Sequence, residues 1–182
     1  MLTLHPLRAT LLTVLLCGAS GLALACTPRE PTPPTDAGPH DFSHSGTESR
    51  LWQESDPGEP LFLRARVLDT CGQPLANAMV RVLHANHEGV HEHDRWRTVL
   101  QTDERGVFRV TTVFPGFTGG IPRHIHFIIE HPEHPQLVTR LFFQNDPDSK
   151  WAPEALAMVL EEVSQQGRKG WVASYEFVLG QR

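Results

Sequence analysis

The chain has 182 residues, 40% of them hydrophobic, and is therefore long enough to bury the core of one domain. It carries 16 basic and 21 acidic residues, for a formal net charge of -5, and contains no basic run. This balance argues against nucleic-acid binding. Fifteen prolines and 14 glycines favour turns and short strands over long helices.

Residues 1–25 are predicted to be a signal peptide. His5 and Arg8 precede an apolar run over residues 11–16 that continues to Leu24 and is too short and too interrupted by small residues to span a bilayer. Residues 23–25 form an A-x-A cleavage motif. Cys26 follows the cleavage bond directly, as the lipid-bearing cysteine does in a bacterial lipobox. We therefore expect an exported protein anchored to a membrane of the bacterial cell envelope through a lipid on Cys26; secretion without a lipid is the alternative.

The mature chain is predicted to consist of a linker and one domain. Residues 26–57 are rich in Pro, Ser, Thr, Asp, Glu and Gly and read as an extended linker, with Leu51–Trp52 as a candidate docking point. Residues 58–182 form the domain. Acylation of Cys26 would leave Cys71 as the only free thiol, so no disulfide is expected within the domain.

Short strands dominate the domain, because β-branched and alternating apolar residues recur between turn signals. The predicted strands are Leu61–Leu68, Ala78–His84, Val107–Val113, His124–Glu130, Leu137–Phe143 and Trp171–Leu179. One helix is predicted from about Pro153 to Gln165, where Leu156, Val159, Leu160 and Val163 recur at helical spacing. The pattern predicts an all-β fold, a β-sandwich or barrel with one short helix in its C-terminal half.

The segment Arg123–Glu130 carries two histidines at strand spacing. Successive side chains leave a strand on opposite faces, so His124 and His126 project together while Ile125 and Phe127 face a core. Two imidazoles on one face can bind iron, zinc or copper. A hydrogen-bonded or exposed pair without a metal fits the spacing equally well.

A second histidine cluster begins at a strand end and continues into a loop, where functional residues are commonly displayed. It comprises His84, His87, His91 and His93, with Glu88 and Glu92 among them. These side chains could supply a metal ligand or a general base, and a polar surface loop is the alternative. His131 and His134 lie in a proline-bounded turn that we interpret as surface.

Several short motifs occur in a fixed order. They are Gly72-Gln73-Pro74, Ala85-Asn86 with Gly89, Thr102-Asp103 with Gly106-Val107-Phe108, Pro115-Gly116, His124-Ile125-His126-Phe127, and Leu137–Phe143 with Asp146-Pro147. In this order they resemble the intradiol ring-cleavage dioxygenases, the class of the protocatechuate and catechol dioxygenases. The resemblance implies a β-sandwich whose ferric iron, held by two tyrosinates and two histidines, binds a catecholate and activates it for ring cleavage by oxygen.

Carried over position by position, the resemblance implies an atypical site. The two histidine ligands fall at His124 and His126, whereas the two tyrosine ligands fall at His91 and Thr118. Tyr175 is the only tyrosine in the chain. The family's arginine three residues before the first histidine falls at Ile121.

The resemblance therefore suggests a histidine-based metal site. The expected ligands are His124, His126 and His91, with His93 or His84 in reserve. Three histidines and an open position suit zinc, ferrous iron or copper, and iron is the cofactor that the family implies. Thr118 and Arg123 are the candidate catalytic residues: Thr118 would lie beside the metal, and Arg123, or alternatively Arg95, would balance charge on a small aromatic substrate. The alternatives are a metal- or ligand-binding module without turnover and an adhesive domain without metal.

Overall fold

The computed structural model describes residues 26–36, 45–146, 152–165 and 167–182. The signal peptide predicted for residues 1–25 lies outside these ranges. The strands are β1 Pro60–Leu68, β2 Met79–Leu83, β3 Arg97–Gln101, β4 Val107–Val113, β5 His124–His131, β6 His134–Phe143, β7 Ala157–Gln165 and β8 Arg168–Val178. The six predicted strands are all present, and β3 and β7 are additional. Within the described residues, no helix has the length and apolarity that a membrane crossing would require.

The strands form one continuous ladder in the order β3-β2-β5-β6-β7-β8-β1-β4. Strands β6 and β7 share only two parallel pairs, Phe142 with Ala157 and Phe143 with Met158. The ladder therefore bends between them into sheet A (β3-β2-β5-β6) and sheet B (β7-β8-β1-β4). The predicted all-β sandwich is confirmed.

The core lies between the two sheets. Phe127 from sheet A is fully buried, and its ring centroid is 6.3 Å from that of Phe108 and 5.0 Å from that of Phe177, both in sheet B. The middle of strand β1 shows the expected alternation: Leu61, Leu63, Ala65 and Val67 are buried, whereas Phe62, Arg64 and Arg66 are at least partly exposed. Burying a side chain such as that of Phe127 stabilises the folded state by roughly 1.5–3 kcal/mol.

The predicted helix over 153–165 is wrong. A single 3-10 turn, Glu154–Leu156, precedes strand β7, which pairs antiparallel with β8 through the turn at Gly167. The helical spacing was misleading because the segment alternates instead with the two-residue period of a strand. Met158 is buried in the core, whereas its neighbour Val159 is 49% exposed. Pairing with β7 gives the backbone N–H and C=O groups on that edge of β8 hydrogen-bond partners, which a helix in the same place would not provide.

The described parts of the predicted linker are not free of the domain. Gly46 O accepts a bond of 2.9 Å from Val99 N on edge strand β3, and Leu51 N donates one of 2.7 Å to Thr111 O on edge strand β4. This stretch therefore covers both open edges of the ladder, which explains why it does not extend into solvent. The suggested docking of Trp52 is confirmed, since the residue is only 5% exposed.

Residues 26–36, here called the N-terminal strap, also lie against the sandwich. Thr32 N donates to Val178 O of sheet B at 2.9 Å, and Thr35 N donates to Val138 O of sheet A at 3.0 Å. Cys26 at its start is disulfide-bonded to Cys71, with a Cα–Cα distance of 5.5 Å. The expectation that Cys71 is a free thiol is therefore wrong, because the strap returns to the Cys71 turn, which spacing in the sequence could not show.

Candidate metal centre

The two histidines of β5 converge through one nitrogen each. His124 and His126 are 6% and 7% exposed, and their Nε2 atoms are 3.0 Å apart. Nδ1 of His124 lies 2.7 Å from Pro122 O. Because a carbonyl oxygen only accepts, Nδ1 carries the proton and the Nε2 lone pair faces His126. Burial lowers the pKa of His124 and so favours the neutral ring, although the Pro122 carbonyl opposes this effect.

This geometry fits two ligands of one metal ion. Nitrogen ligands lie about 2.0–2.1 Å from a bound metal, and at that radius two atoms 3.0 Å apart subtend roughly a right angle at the metal. A hydrogen bond between the two Nε2 atoms would have the same length, so the distance also fits a histidine pair without a metal. Among the described residues, no three His, Cys, Asp or Glu side chains are grouped for metal binding. The structure thus brings two of the three predicted ligands, His124 and His126, together.

The two positions that the resemblance assigns to tyrosine ligands, His91 and Thr118, lie on adjacent loops. His91 is exposed, and its ring centroid is 6.2 Å from that of His126. Thr118 Oγ1 donates to Gly89 O at 3.1 Å, and Gly116 N donates to Asn86 O at 2.8 Å. The loop after β2 and the loop before β5 are therefore packed together, with His91 next to the histidine pair.

Gly89 makes this loop contact sterically feasible. Its φ is +85°, and a Cβ added there would lie 1.8 Å from Phe117 O. A left-handed backbone with no room for a side chain requires glycine. The position of His91, two residues later, thus depends on Gly89.

His84 is fully buried and hydrogen-bonded at both nitrogens, to Ala85 O and to Thr112 Oγ1, each at 2.7 Å. It therefore offers no free lone pair to a metal, and through Thr112 it joins the end of β2 to β4. Burial is the main cause that lowers the pKa of His84 to about 4; the neighbouring charges of His91 and His124 act in the same direction. His93, the other reserve ligand, has 69% of its side chain exposed, and its Nδ1 faces Asp94 at 3.6 Å.

The two arginines predicted to balance substrate charge have carboxylate partners. Arg123 Nη1 lies 3.1 Å from Asp146, whose side chain is 2% exposed. Arg95 Nη2 lies 2.9 Å from Asp56, and its guanidinium stacks over Trp96 at 4.4 Å. The Arg123 pair has the geometry of a structural bond between the start of β5 and the end of β6.

We expect Arg123→Gln to lower the free energy of unfolding by about 1–2 kcal/mol, because it replaces a charged hydrogen-bond donor 3.1 Å from the buried Asp146 carboxylate with a neutral one. Arg95→Gln removes an exposed cation and should cost less than about 1 kcal/mol. Urea unfolding of both variants tests this order. A loss of bound metal in Arg123→Gln at unchanged stability would contradict the structural role.

Two residues that sequence reasoning missed adjoin the histidines. Arg140 is paired opposite His126 across β5 and β6, and Phe142 is paired opposite His124. Opposed residues of antiparallel strands project from the same face. The ring centroids of Phe142 and His124 are 6.0 Å apart. On the β6 side, the two histidines are therefore flanked in register by Arg140 and by the phenyl ring of Phe142.

Comparison with known proteins identifies the family. A dioxygenase family model matches residues 37–181. The chain is 31% identical over 162 residues to catechol 1,2-dioxygenase 2 of Acinetobacter lwoffii, which covers 71% of this chain and 59% of that protein. It is 32% identical over 132 residues to the protocatechuate 3,4-dioxygenase beta chain of Burkholderia cepacia, covering 62% and 55%. The chain thus spans less than two thirds of the length of either relative.

Two solved structures share the fold. The dioxygenase domain of a dioxygenase carbohydrate-binding protein fusion from Streptomyces sp. SirexAA-E superposes with a TM-score of 0.77 at 27% identity, over 84% of this chain and 100% of that one. Catechol 1,2-dioxygenase from Pseudomonas arvilla C-1 gives 0.73 at 26% identity, over 83% and 62%. Together with the family match, these similarities show that the chain belongs to the intradiol ring-cleavage dioxygenase family.

Proposed function

We propose that the protein is an exported dioxygenase that oxidises catechol-type aromatics at a non-haem metal, iron by family, held by His124 and His126. The observation that carries this proposal is the convergence of the two buried Nε2 atoms at 3.0 Å, with His124 oriented by Pro122 O. His91, on the adjoining loop, is the proposed third ligand, and it replaces a tyrosinate.

The surroundings of the pair suit an aromatic ligand. Phe142 borders the imidazoles, and Val90 and Phe117 on the two packed loops are 55% and 42% exposed. These side chains offer apolar surface to a ring that enters from solvent. Iron or copper held there would acidify the hydroxyls of a catechol and supply a redox partner for it, whereas zinc would only acidify them. Where His91 does not bind the metal, its imidazole can accept a hydroxyl proton near neutral pH.

The ligand set should change the preferred metal ion. Tyr175 lies on β8, where its hydroxyl donates to Ala155 O and burial raises its pKa. It therefore cannot supply the phenolate oxygens that stabilise ferric iron. Neutral imidazoles favour a divalent ion, so zinc or copper could also occupy the site.

Metal content tests the proposal directly. The mature protein, purified without added metal, should contain near-stoichiometric metal that His124→Ala/His126→Ala loses. The matched control is His131→Ala/His134→Ala, which removes another histidine pair, with ring centroids 5.3 Å apart, at the β5–β6 turn. Equal metal in the wild type and in the β5 double variant would refute the site. An intense tyrosinate-to-iron absorption band would refute the histidine-based ligand set.

A non-catalytic metal- or ligand-binding module is the second candidate. It is favoured by the position of Tyr175, the chain's one tyrosine, which lies on β8 with its hydroxyl bonded to Ala155 O, while the His124–His126 pair is on β5. Oxygen uptake with a panel of catechols separates the two candidates. Uptake that disappears in the β5 double variant supports the enzyme. Stoichiometric metal without uptake for any catechol supports the binding module.

Export is supported by the predicted signal peptide and by the disulfide, since disulfides persist mainly in oxidising compartments. The lipid anchor predicted on Cys26 requires the same sulfur as the bond to Cys71, so one molecule cannot carry both. We expect the denatured mature protein to show no reactive thiol before reduction and two after it. One reactive thiol with a lipid mass on the first peptide would instead establish the anchor.

A further inference from the structure

Arg140 is the cation closest in register to the histidine pair. It stands opposite His126 on the same face of sheet A, and only 11% of its side chain is exposed. Its Nε is buried and makes no hydrogen bond within the part of the chain that the structure describes. A guanidinium removed from water and incompletely hydrogen-bonded is costly unless an anion accompanies it. The position is therefore suited to binding an anion.

The counter-ion that Arg140 does have comes from the N-terminal strap. Its Nη2 contacts the carboxylate of Asp36 and lies 3.3 Å from Asp36 O. The Asp36 side chain is 81% exposed, whereas the partners of Arg123 and Arg95 are 2% and 12% exposed. An exposed carboxylate gains little from such a pair because water and salt screen it. Of these three arginines, Arg140 has the partner that an incoming anion can replace most easily.

We propose that Arg140 is the anion-binding residue of this site and that Asp36 is its resident counter-ion, which a carboxylate substituent on the bound aromatic ring displaces. The inference rests on the proposed function to the extent that the ring binds beside His126. It makes Arg140 a determinant of substrate choice and Asp36 a built-in competitor. No bond is formed or broken in the exchange.

The probes are 3,4-dihydroxybenzoate and catechol, which differ by one carboxylate. Their affinities are measured by anaerobic calorimetry with the full mature protein. We expect the wild type to bind 3,4-dihydroxybenzoate about tenfold more tightly than catechol, the size of effect that one charge-assisted hydrogen bond provides. Arg140→Gln should abolish the preference without weakening catechol, and Asp36→Asn should increase it severalfold.

A double-variant cycle isolates the exchange. In the Arg140→Gln background, Asp36→Asn should no longer change either affinity. Asp56→Asn, which removes the counter-ion of Arg95, is the matched control and should leave the preference unchanged. Because Asp36 is exposed, its variant remains informative even where Arg140→Gln does not fold.

Three results would each overturn the proposal. Arg140→Gln could weaken the binding of both ligands equally, or Asp36→Asn could keep the wild-type preference. The third is that neither ligand binds to the wild type. The proposed function fails independently of it. A carboxylate preference that depends on Arg140 without any oxygen uptake would sustain the anion site and refute the dioxygenase. Oxygen uptake by the wild type, together with a carboxylate preference that Arg140→Gln leaves unaltered, would sustain the dioxygenase and refute the anion site.

Discussion

The free energy of unfolding should fall by about 3 kcal/mol between pH 7 and pH 4 through His84 alone, because its pKa drops from 6.5 to about 4 on folding. The folded state resists protonation, since burial excludes the charged imidazole. The unfolded state therefore binds more protons in this interval. The stabilisation is fully present above pH 6.5, declines as pH falls and stops changing below about pH 4.

Urea unfolding from pH 7 to pH 4 measures this effect against His84→Gln, which keeps a polar side chain but cannot titrate. The difference between the two curves removes the contributions of the other histidines. The wild type should lose stability more steeply, so the two curves should converge at low pH. Parallel curves would show that His84 titrates normally in the folded protein. NMR of the imidazole protons tests the same point without a variant: the chemical shift of His84 should stay unchanged as the pH falls to about 5.

Gly89→Ala should destabilise the protein by about 2–4 kcal/mol and reduce metal binding. The added methyl group meets Phe117 O, and the left-handed backbone adds its own strain. The loop after β2 must then separate from the loop before β5, which moves His91 away from His126. Metal titration of the purified variant, alongside urea unfolding, measures both consequences.

Gly120→Ala is the matched control, because Gly120 has φ +84° but nothing within 4 Å of an added Cβ. It should cost only the backbone strain, about 1–2 kcal/mol, and leave metal binding unchanged. Equal losses of stability in the two variants would mean that the loops do not need their close contact. Wild-type metal affinity in Gly89→Ala would remove His91 from the ligand set.

The strands and the histidine pair were predictable because each depends on local alternation. Ile125 and Phe127 are buried in the core, and His124 and His126 share the opposite face, as the two-residue period of a strand requires. Strand β7 was not predictable from its own residues. A short segment with Val159 and Val163 satisfies helical and strand patterns alike, and the choice depends on β8, the strand that needs a partner.

The neighbours of the pair depend on one irregularity in the β5–β6 hairpin. His131 pairs with His134, and an unbroken register from there would place Thr139 opposite His126. The register shifts between Ile129 and His131, which brings Arg140 opposite instead. A one-residue shift of this kind reverses which side chains reach a face, and nothing in the local sequence fixes it.

The strap was the other feature beyond sequence reasoning. Its composition is that of a linker, and its attachment depends on backbone groups of Val178 and Val138, which belong to different sheets. Contacts between segments more than a hundred residues apart leave no periodic signal in either one.

The disulfide also has a consequence for competition at Arg140. Asp36 lies ten residues after Cys26, whose sulfur is fixed to Cys71, so its carboxylate is presented to the guanidinium at an effective concentration on the order of millimolar. Under the proposed exchange, a substrate carboxylate displaces Asp36 from Arg140 only if contacts with its aromatic ring make it bind tightly enough to overcome this effective concentration. Reduction of the disulfide would free the start of the strap, but the bonds of Thr32 and Thr35 would still hold Asp36 beside Arg140. A change in redox state alone would therefore lower this effective concentration only in part.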